Sequence, residues 1–306
     1  PSWNLDRIDQ TSMPLDGKYR YGPTGKGVEV YILDSGMRLS HNEYRGRARC
    51  GYNGFDDVVG EGCEDPRGHG THVGGVVAGT VNGVAKDATL VAVTVLNDRG
   101  SGTLRSIMNG VEFVLDEKKA RPGVPMVINF SISGSGRSTT LDGAVRDADL
   151  FGIIFVTSAG NGSRNACPFS PTAASQSISV AASSRSDTKP LFSNYGPCVD
   201  LFAPGDSIWA AGYGSDTAML RKSGTSMASP SVAGAAALYL ELHPTWKTED
   251  VRSALIRDSS KGRLSLDPDE NSPNRLLNIG NIVSIVATPR PTPVPVFPVG
   301  WLEQVS

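Results

Sequence analysis

Three short segments carry residues whose types and order could perform nucleophilic chemistry. Asp34-Ser35-Gly36 puts a carboxylate at the end of an apolar run. Gly68-His69-Gly70-Thr71-His72 sets an imidazole between glycines. Ser223-Gly224-Thr225-Ser226-Met227-Ala228-Ser229-Pro230 brings a serine to the start of a long apolar stretch. Singly, each has a plain structural reading as a turn carboxylate, a loop histidine or a helix N-cap. Together they are the parts that acyl transfer needs: a hydroxyl nucleophile, a base to take its proton and a carboxylate to hold that base. Asp, His, Ser is one of the known chain orders for this geometry. An α/β-hydrolase would run Ser, Asp, His around a G-x-S-x-G turn, which Gly224-Thr225-Ser226-Met227-Ala228 is not. A Rossmann-type nucleotide binder would need G-x-G-x-x-G after its first strand, and Asp34-Ser35-Gly36-Met37 does not supply it.

Elements able to position these residues are legible. Near-continuous apolar runs at 27–34, 89–96, 125–131, 152–157 and 177–182 suit strands covered on both faces. Helical patterns at 70–78, 103–117, 140–150 and 226–242 lie between and after them. The alternation predicts an α/β fold, a doubly wound and mostly parallel sheet with helices on both faces. Asp34 then leaves the carboxyl end of a buried strand, the edge where open α/β sheets bind ligands. From Thr288 the chain turns proline-rich (Pro289, Pro291, Pro293, Pro295, Pro298), which predicts a catalytic domain over 1–286 and an extended linker or tail over 287–306. There is no internal repeat.

Composition narrows the class. The chain has 306 residues, 29 basic and 31 acidic side chains, and a formal charge of −2. A nucleic-acid binder should show a basic excess, and no apolar run approaches the ~20 residues that span a bilayer. The expectation is a protein with neither a nucleic-acid nor a membrane partner. The 35 glycines lack a collagen period, so they mark turns and close backbone approaches. Cys50, Cys63, Cys167 and Cys198 allow three pairings, the local one being simplest; any of them implies an oxidising compartment. The start at Pro1-Ser2-Trp3 reads as an artificial boundary or as the product of proteolytic maturation.

The segments Val30-Tyr31-Ile32-Leu33-Asp34-Ser35-Gly36, Gly68-His69-Gly70-Thr71-His72-Val73, Ser158-Ala159-Gly160-Asn161, Phe192-Ser193-Asn194-Tyr195-Gly196, Asp200-Leu201-Phe202-Ala203-Pro204-Gly205 and Gly224-Thr225-Ser226-Met227-Ala228-Ser229-Pro230 resemble those of subtilisin-like serine proteases, in their proteinase K-like branch. The likeness runs from about Trp3 to Leu277. It implies a catalytic Asp34, His69 and Ser226, with Asn161 and the Ser226 backbone N–H as oxyanion donors. His72 reads as structural, since His-x-x-His has no third metal ligand in view. The resemblance also places an extended substrate between Gly100-Ser101-Gly102 and Ser131-Ile132-Ser133-Gly134, paired through main-chain hydrogen bonds. It puts Leu96, Leu104, Ile107 and Ile132 around an apolar pocket, and Ser133, Ser158 and Gly160 along the walls of the first pocket. Ser133 and Ser158 depart from the family's usual Gly and Ala, which bears on fine specificity.

Further expectations follow from the same resemblance. Cys167 and Cys198 match a family disulfide. The usual partner of Cys63 would fall near Asn97–Asp98, where there is no cysteine, which leaves Cys50 for Cys63. Structural calcium is the implied cofactor. One ligand set is Asp6, Asp9, Gln10 and Asp16, the first three taken to share a helical face; a second is Asp200 with the carbonyls of Ser175 and Ser177. The acidic loop Asp56, Asp57, Glu61, Glu64, Asp65 is a weaker third. The sequons at Asn129 and Asn161 fall in a buried strand and on the oxyanion residue, so neither is expected to be glycosylated. The chain therefore reads as a secreted, monomeric serine endopeptidase acting on protein or peptide, with broad specificity for apolar or aromatic residues before the cut. It would be made as a zymogen with an N-terminal inhibitory propeptide, Pro1 being the maturation point. The alternative is a processing or regulatory member with a narrow substrate or a mainly binding role.

Overall fold

The computed structural model describes residues 1–282; the proline-rich tail and the expected domain end near Val286 lie outside the described residues. In chain order the elements are α1 (Trp3–Ile8), β1 (Glu29–Asp34), β2 (Ala48–Asn53), β3 (Val58–Val59), α2 (His69–Ala78), β4 (Thr89–Thr94), α3 (Leu104–Ala120), β5 (Met126–Phe130), α4 (Thr139–Leu150), β6 (Ile154–Ser158), β7 (Ile178–Ser183), β8 (Leu201–Pro204), β9 (Ile208–Ala211), β10 (Met219–Lys222), α5 (Thr225–Leu242), α6 (Thr248–Asp258), β11 (Ser260–Lys261) and β12 (Arg275–Leu276). The main sheet runs β11-β12-β8-β7-β6-β5-β1-β4-β2-β3, and β9 pairs with β10 as a separate antiparallel ribbon. From β12 to β2 every pairing is parallel; only β11 and β3, at the edges, are antiparallel.

The continuous apolar runs have the anticipated cause. On β1, Val30 and Ile32 enter one core and Tyr31 and Leu33 the other, because successive side chains point to opposite faces. The first core is roofed by α2 and α5, with α1 and α6 adding Leu5, Ile8, Val251 and Leu255. The second is roofed by α3 and α4 through Val111, Val114, Val145 and Ala148. Strand order reverses on either side of β1, which lies between β5 and β4. A crevice forms at the carboxyl end of such a switch-point strand, and β1 ends there on Asp34.

Candidate active site

Asp34 is fully buried, and its Oδ1 accepts the Ser35 N–H at 2.7 Å. His69 is the first residue of α2 and turns Nδ1 to both Asp34 oxygens, at 2.8 and 2.9 Å. A buried carboxylate needs such partners to stay charged, and in return it fixes the imidazole's orientation. The start of α2 is pinned from outside. Asp65 accepts from Ser35 Oγ (2.8 Å), Gly68 N–H (2.7 Å), Thr71 N–H (2.8 Å) and Thr71 Oγ1 (2.6 Å). It thus satisfies orphan donors of a helix whose own N-cap, Gly68, has no side chain to do so. A side chain at Gly70 would collide with the Gly36 carbonyl and the Asp34 Cβ, so the glycine lets α2 approach β1 closely.

Ser226 is the second residue of α5, and its Oγ donates to the Ser131 carbonyl at 3.1 Å. Further along α5, Pro230 has no N–H for the Ser226 carbonyl; Ser131 Oγ donates to that carbonyl instead, at 3.1 Å. Asn161 sits on the loop after β6. Its Oδ1 accepts the Thr225 N–H at 2.8 Å and Thr225 Oγ1 at 3.0 Å. A backbone N–H only donates, so the oxygen end must face Thr225 and the amide N–H₂ is left to project outward. Thr225 Oγ1 in turn accepts the Gly160 N–H at 3.1 Å. Gly160 has φ +100°, and a Cβ there would meet the Asn194 amide. Asn194 clamps the same loop, donating to the Ala159 carbonyl (2.8 Å) and accepting from Gly162 and Arg164 N–H (2.9 and 3.2 Å). The sequence points to Asp65 only as part of a weak calcium loop and assigns Thr225 and Asn194 no role beyond the motifs that contain them. Only the short chain distance from Asp65 to His69, and of Thr225 to Ser226, hinted at them.

His69, Asn161 and Ser226 line one cavity of about 500 Å³, with Arg67, Lys222, Ser223 and Met227. His72 is buried on the same helix as His69. Its Nε2 lies 3.1 Å from the Ile208 and Leu220 carbonyls, so that nitrogen carries the proton. Burial lowers its pKa to about 4, and the nearby Lys222 charge adds to the effect. Beside the cavity, Gly100, Ser101 and Gly102 form a turn closed by the Asn97 N–H on the Ser101 carbonyl at 2.9 Å. Leu96, Ile107 and Ile132 belong to the second core, while Leu104 is exposed. Ser133 is exposed and faces Gly160; Ser158 is buried, and its hydroxyl has no partner among the described residues.

The structure joins Cys50 to Cys63 and Cys167 to Cys198. Asn129 is fully buried, its amide bonded to Ser131 and Ser229 hydroxyls. The calcium sets look different from the sequence expectation. Helix α1 stops at Ile8, so Asp9 and Gln10 lie beyond it and share no helical face with Asp6. Asp6 accepts the Asp16 and Gly17 N–H groups (3.2 and 2.8 Å), Gln10 Nε2 donates to the Ser12 and Pro14 carbonyls, and Arg20 pairs with Asp16 at 2.6 Å. Asp9 Oδ1 is buried without a partner among the described residues. At the second set, Arg252 occupies the oxygens. Its guanidinium donates to Asp200 Oδ1 at 2.6 Å and to the Ser175 carbonyl at 2.5 Å, and the Ser177 hydroxyl donates to Pro171 and Ala174 carbonyls. In the acidic loop, Asp65 is consumed by α2, Asp56 by Asn53 and Asp57 by Tyr52, and Glu61 and Glu64 are exposed. Among the described residues no three His, Cys, Asp or Glu side chains converge on a point that could hold a metal.

Residues 25–280 match the model of the Subtilase family. The chain is 46% identical over 276 residues to an extracellular serine proteinase of Thermus sp. (strain Rt41A), covering 90% of this chain and 65% of that protein. It is 40% identical over 275 residues to alkaline serine exoprotease A of Vibrio alginolyticus, covering 90% of this chain and 49% of that protein. The chain thus spans about half to two thirds of these relatives' length. A solved cold-adapted subtilisin-like serine proteinase superposes with a TM-score of 0.84 at 40% identity, over 90% of this chain and 97% of that one. No helix among the described residues is long and apolar enough to cross a membrane.

Proposed function

Because the chain belongs to the subtilase family, we propose that it is a secreted serine endopeptidase whose catalytic residues are Asp34, His69, Ser226 and Asn161. The observation that carries this reading is the shared cavity: an imidazole held by a buried carboxylate, a serine hydroxyl and a free amide N–H₂ all face it. In the reaction, Ser226 Oγ leaves the Ser131 carbonyl and gives its proton to His69 Nε2 as it attacks the scissile carbonyl. Apo serine contacts are often looser than those of the working complex. Asn161 Nδ2 and the Ser226 N–H, an orphan donor at a helix start, take the developing oxyanion. His69 then protonates the leaving amine, and water resolves the acyl-enzyme by the same steps.

The substrate lies extended between Gly100-Ser101-Gly102 and Ser131-Ile132-Ser133-Gly134, with Leu96, Leu104, Ile107 and Ile132 receiving an apolar side chain. Ser133, Ser158 and Gly160 wall the pocket for the residue before the cut, which is apolar or aromatic. An N-terminal propeptide keeps the enzyme inactive until maturation, and the mature chain is monomeric. Of the calcium sets, the first keeps an orphaned buried carboxylate oxygen, Asp9 Oδ1, and a structural calcium ion there would draw Asp6, Asp16 and the Gln10 amide from the partners they now hold. The ion would supply the charge compensation that Arg20 gives there. The second set does not fit, because Arg252 already bonds Asp200 and Ser175. The direct test is digestion of an unfolded protein followed by mass analysis of the products. The reading expects internal cuts after apolar or aromatic residues, abolished by Ser226→Ala. Cuts confined to Arg or Lys sites, or unchanged in Ser226→Ala, would overturn it.

A further inference from the structure

The cavity at Ser226 has a charge character that the catalytic residues do not use. Its lining includes Arg67 and Lys222 but no carboxylate. Elsewhere on this surface cations such as Arg38 and Arg121 are paired directly with an acid, Asp216 and Glu29. Neither Arg67 nor Lys222 forms an ion pair among the described residues. Lys222 Nζ donates to the neutral Gly68 carbonyl at 2.7 Å, which leaves two of its protons free. Arg67 Nη1 donates to the Arg99 carbonyl at 2.7 Å, and its guanidinium lies over Gly100. The acids nearby are committed. Asp34 holds His69, Asp65 is buried on the start of α2, and Asp206 accepts Ser223 Oγ at 2.8 Å. Glu64 is exposed on the loop before Arg67.

The two cations are neighbours, since Lys222 bonds the carbonyl of Gly68, the residue after Arg67, but they reach different segments. Arg67 rests on Gly100, the segment proposed to pair with the acyl part of the substrate. Lys222 ends β10, paired with Ile208 and bonded to the Gly68 carbonyl, and lines the cavity with Met227. With the acyl part of the substrate on Gly100-Ser101-Gly102 in the proposed pose, the Lys222 and Met227 end of the cavity is left to the leaving amine.

We propose that Lys222 and Arg67 select acidic substrates: Lys222 engages an Asp or Glu side chain directly after the scissile bond, and Arg67 an acidic side chain on the acyl side near Gly100. This rests on the protease reading of the same cleft. A half-buried ammonium with no directly paired carboxylate is costly: burial lowers the Lys222 pKa, and Asp65 and Asp34 offset this only from a distance. A substrate carboxylate supplies the missing partner at the moment of binding.

The test uses internally quenched peptides that share one apolar residue before the cut and differ only in the next residue, Asp, Ser or Lys. The native enzyme should favour Asp over Lys by about tenfold in kcat/KM, as expected for unit charges a few ångströms apart at a wet surface. Raising the salt should shrink that ratio. Lys222→Glu should invert it, and Lys222→Met should flatten it. A second series varied on the acyl side should respond in the same way to Arg67→Glu. Equal rates for Asp and Lys peptides in the native enzyme, or a ratio indifferent to salt and to Lys222→Glu, would overturn the proposal and leave the protease reading standing. No hydrolysis of any peptide would overturn both.

Discussion

At the residue scale, each proposed catalytic group is held still by a partner of its own. Asn161 is aimed by Thr225, whose N–H and hydroxyl both meet its Oδ1. Asn161→Ala should lower kcat about 10²–10³-fold with KM nearly unchanged, a magnitude taken from the equivalent donor in subtilisin. Thr225→Val keeps the N–H and loses the hydroxyl, so the amide should stay oriented but less firmly. A loss of about tenfold in kcat, again without a KM change, is the expected steady-state result. A large KM effect from either would point to ground-state binding instead. Histidine 72 shows the other side of residue-level reading. Two histidines three positions apart suggest a metal pair, but His72 gives its proton to two carbonyls while His69 turns to Asp34, and no third ligating side chain joins them among the described residues.

Elements explain why some of this was legible in the sequence and some was not. Strands β1, β4, β5, β6 and β7 are buried on both faces, so their sequences are continuous β-branched runs that announce themselves. Strand β2 escaped notice because it carries Arg49 and Gly51, whose places are set by Glu117 and by close packing against Val91. Helix α6 buries only Val251, Ala254 and Leu255, too thin a stripe to stand out. The proposed catalytic residues are visible in the sequence because each sits where a strand ends or a helix begins. Their supports are not, since Asp65 and Asn194 act on backbone N–H groups, which look alike in every sequence. The disulfides act at this scale too, tying loops with separations of 13 and 31 residues. Replacing Cys167 and Cys198 by Ser should cost about 4 kcal/mol, and Cys50 and Cys63 about 3 kcal/mol, in a chain-entropy account. Denaturant unfolding checks the order; a larger loss at the shorter loop would argue for a native-state effect.

For the whole molecule, stability should depend on pH and on cations in ways the structure specifies. His72 is held neutral, with a folded pKa of about 4 against an ordinary 6.5. The unfolded chain therefore binds a proton that the folded one refuses between those values. The contribution is present above pH ~6.5 and is lost as pH falls toward ~4, up to roughly 3 kcal/mol. His72→Gln should flatten this part of the stability profile, and an unchanged acid slope would contradict it. EDTA should lower the melting temperature through the Asp9 site, whereas Arg252→Met should lower it with or without calcium, because the guanidinium itself bridges Asp200 and Ser175. No change with EDTA would remove calcium from the account. The central claim, that the sheet's switch point, α2 and α5 converge to make Ser226 a nucleophile, has a more direct test. Incubation with a serine-directed fluorophosphonate, followed by intact and peptide mass analysis, should give a single adduct on Ser226, slow to form in His69→Ala and absent in Ser226→Ala. A native protein that stays unlabelled, or an adduct that survives Ser226→Ala, would contradict it.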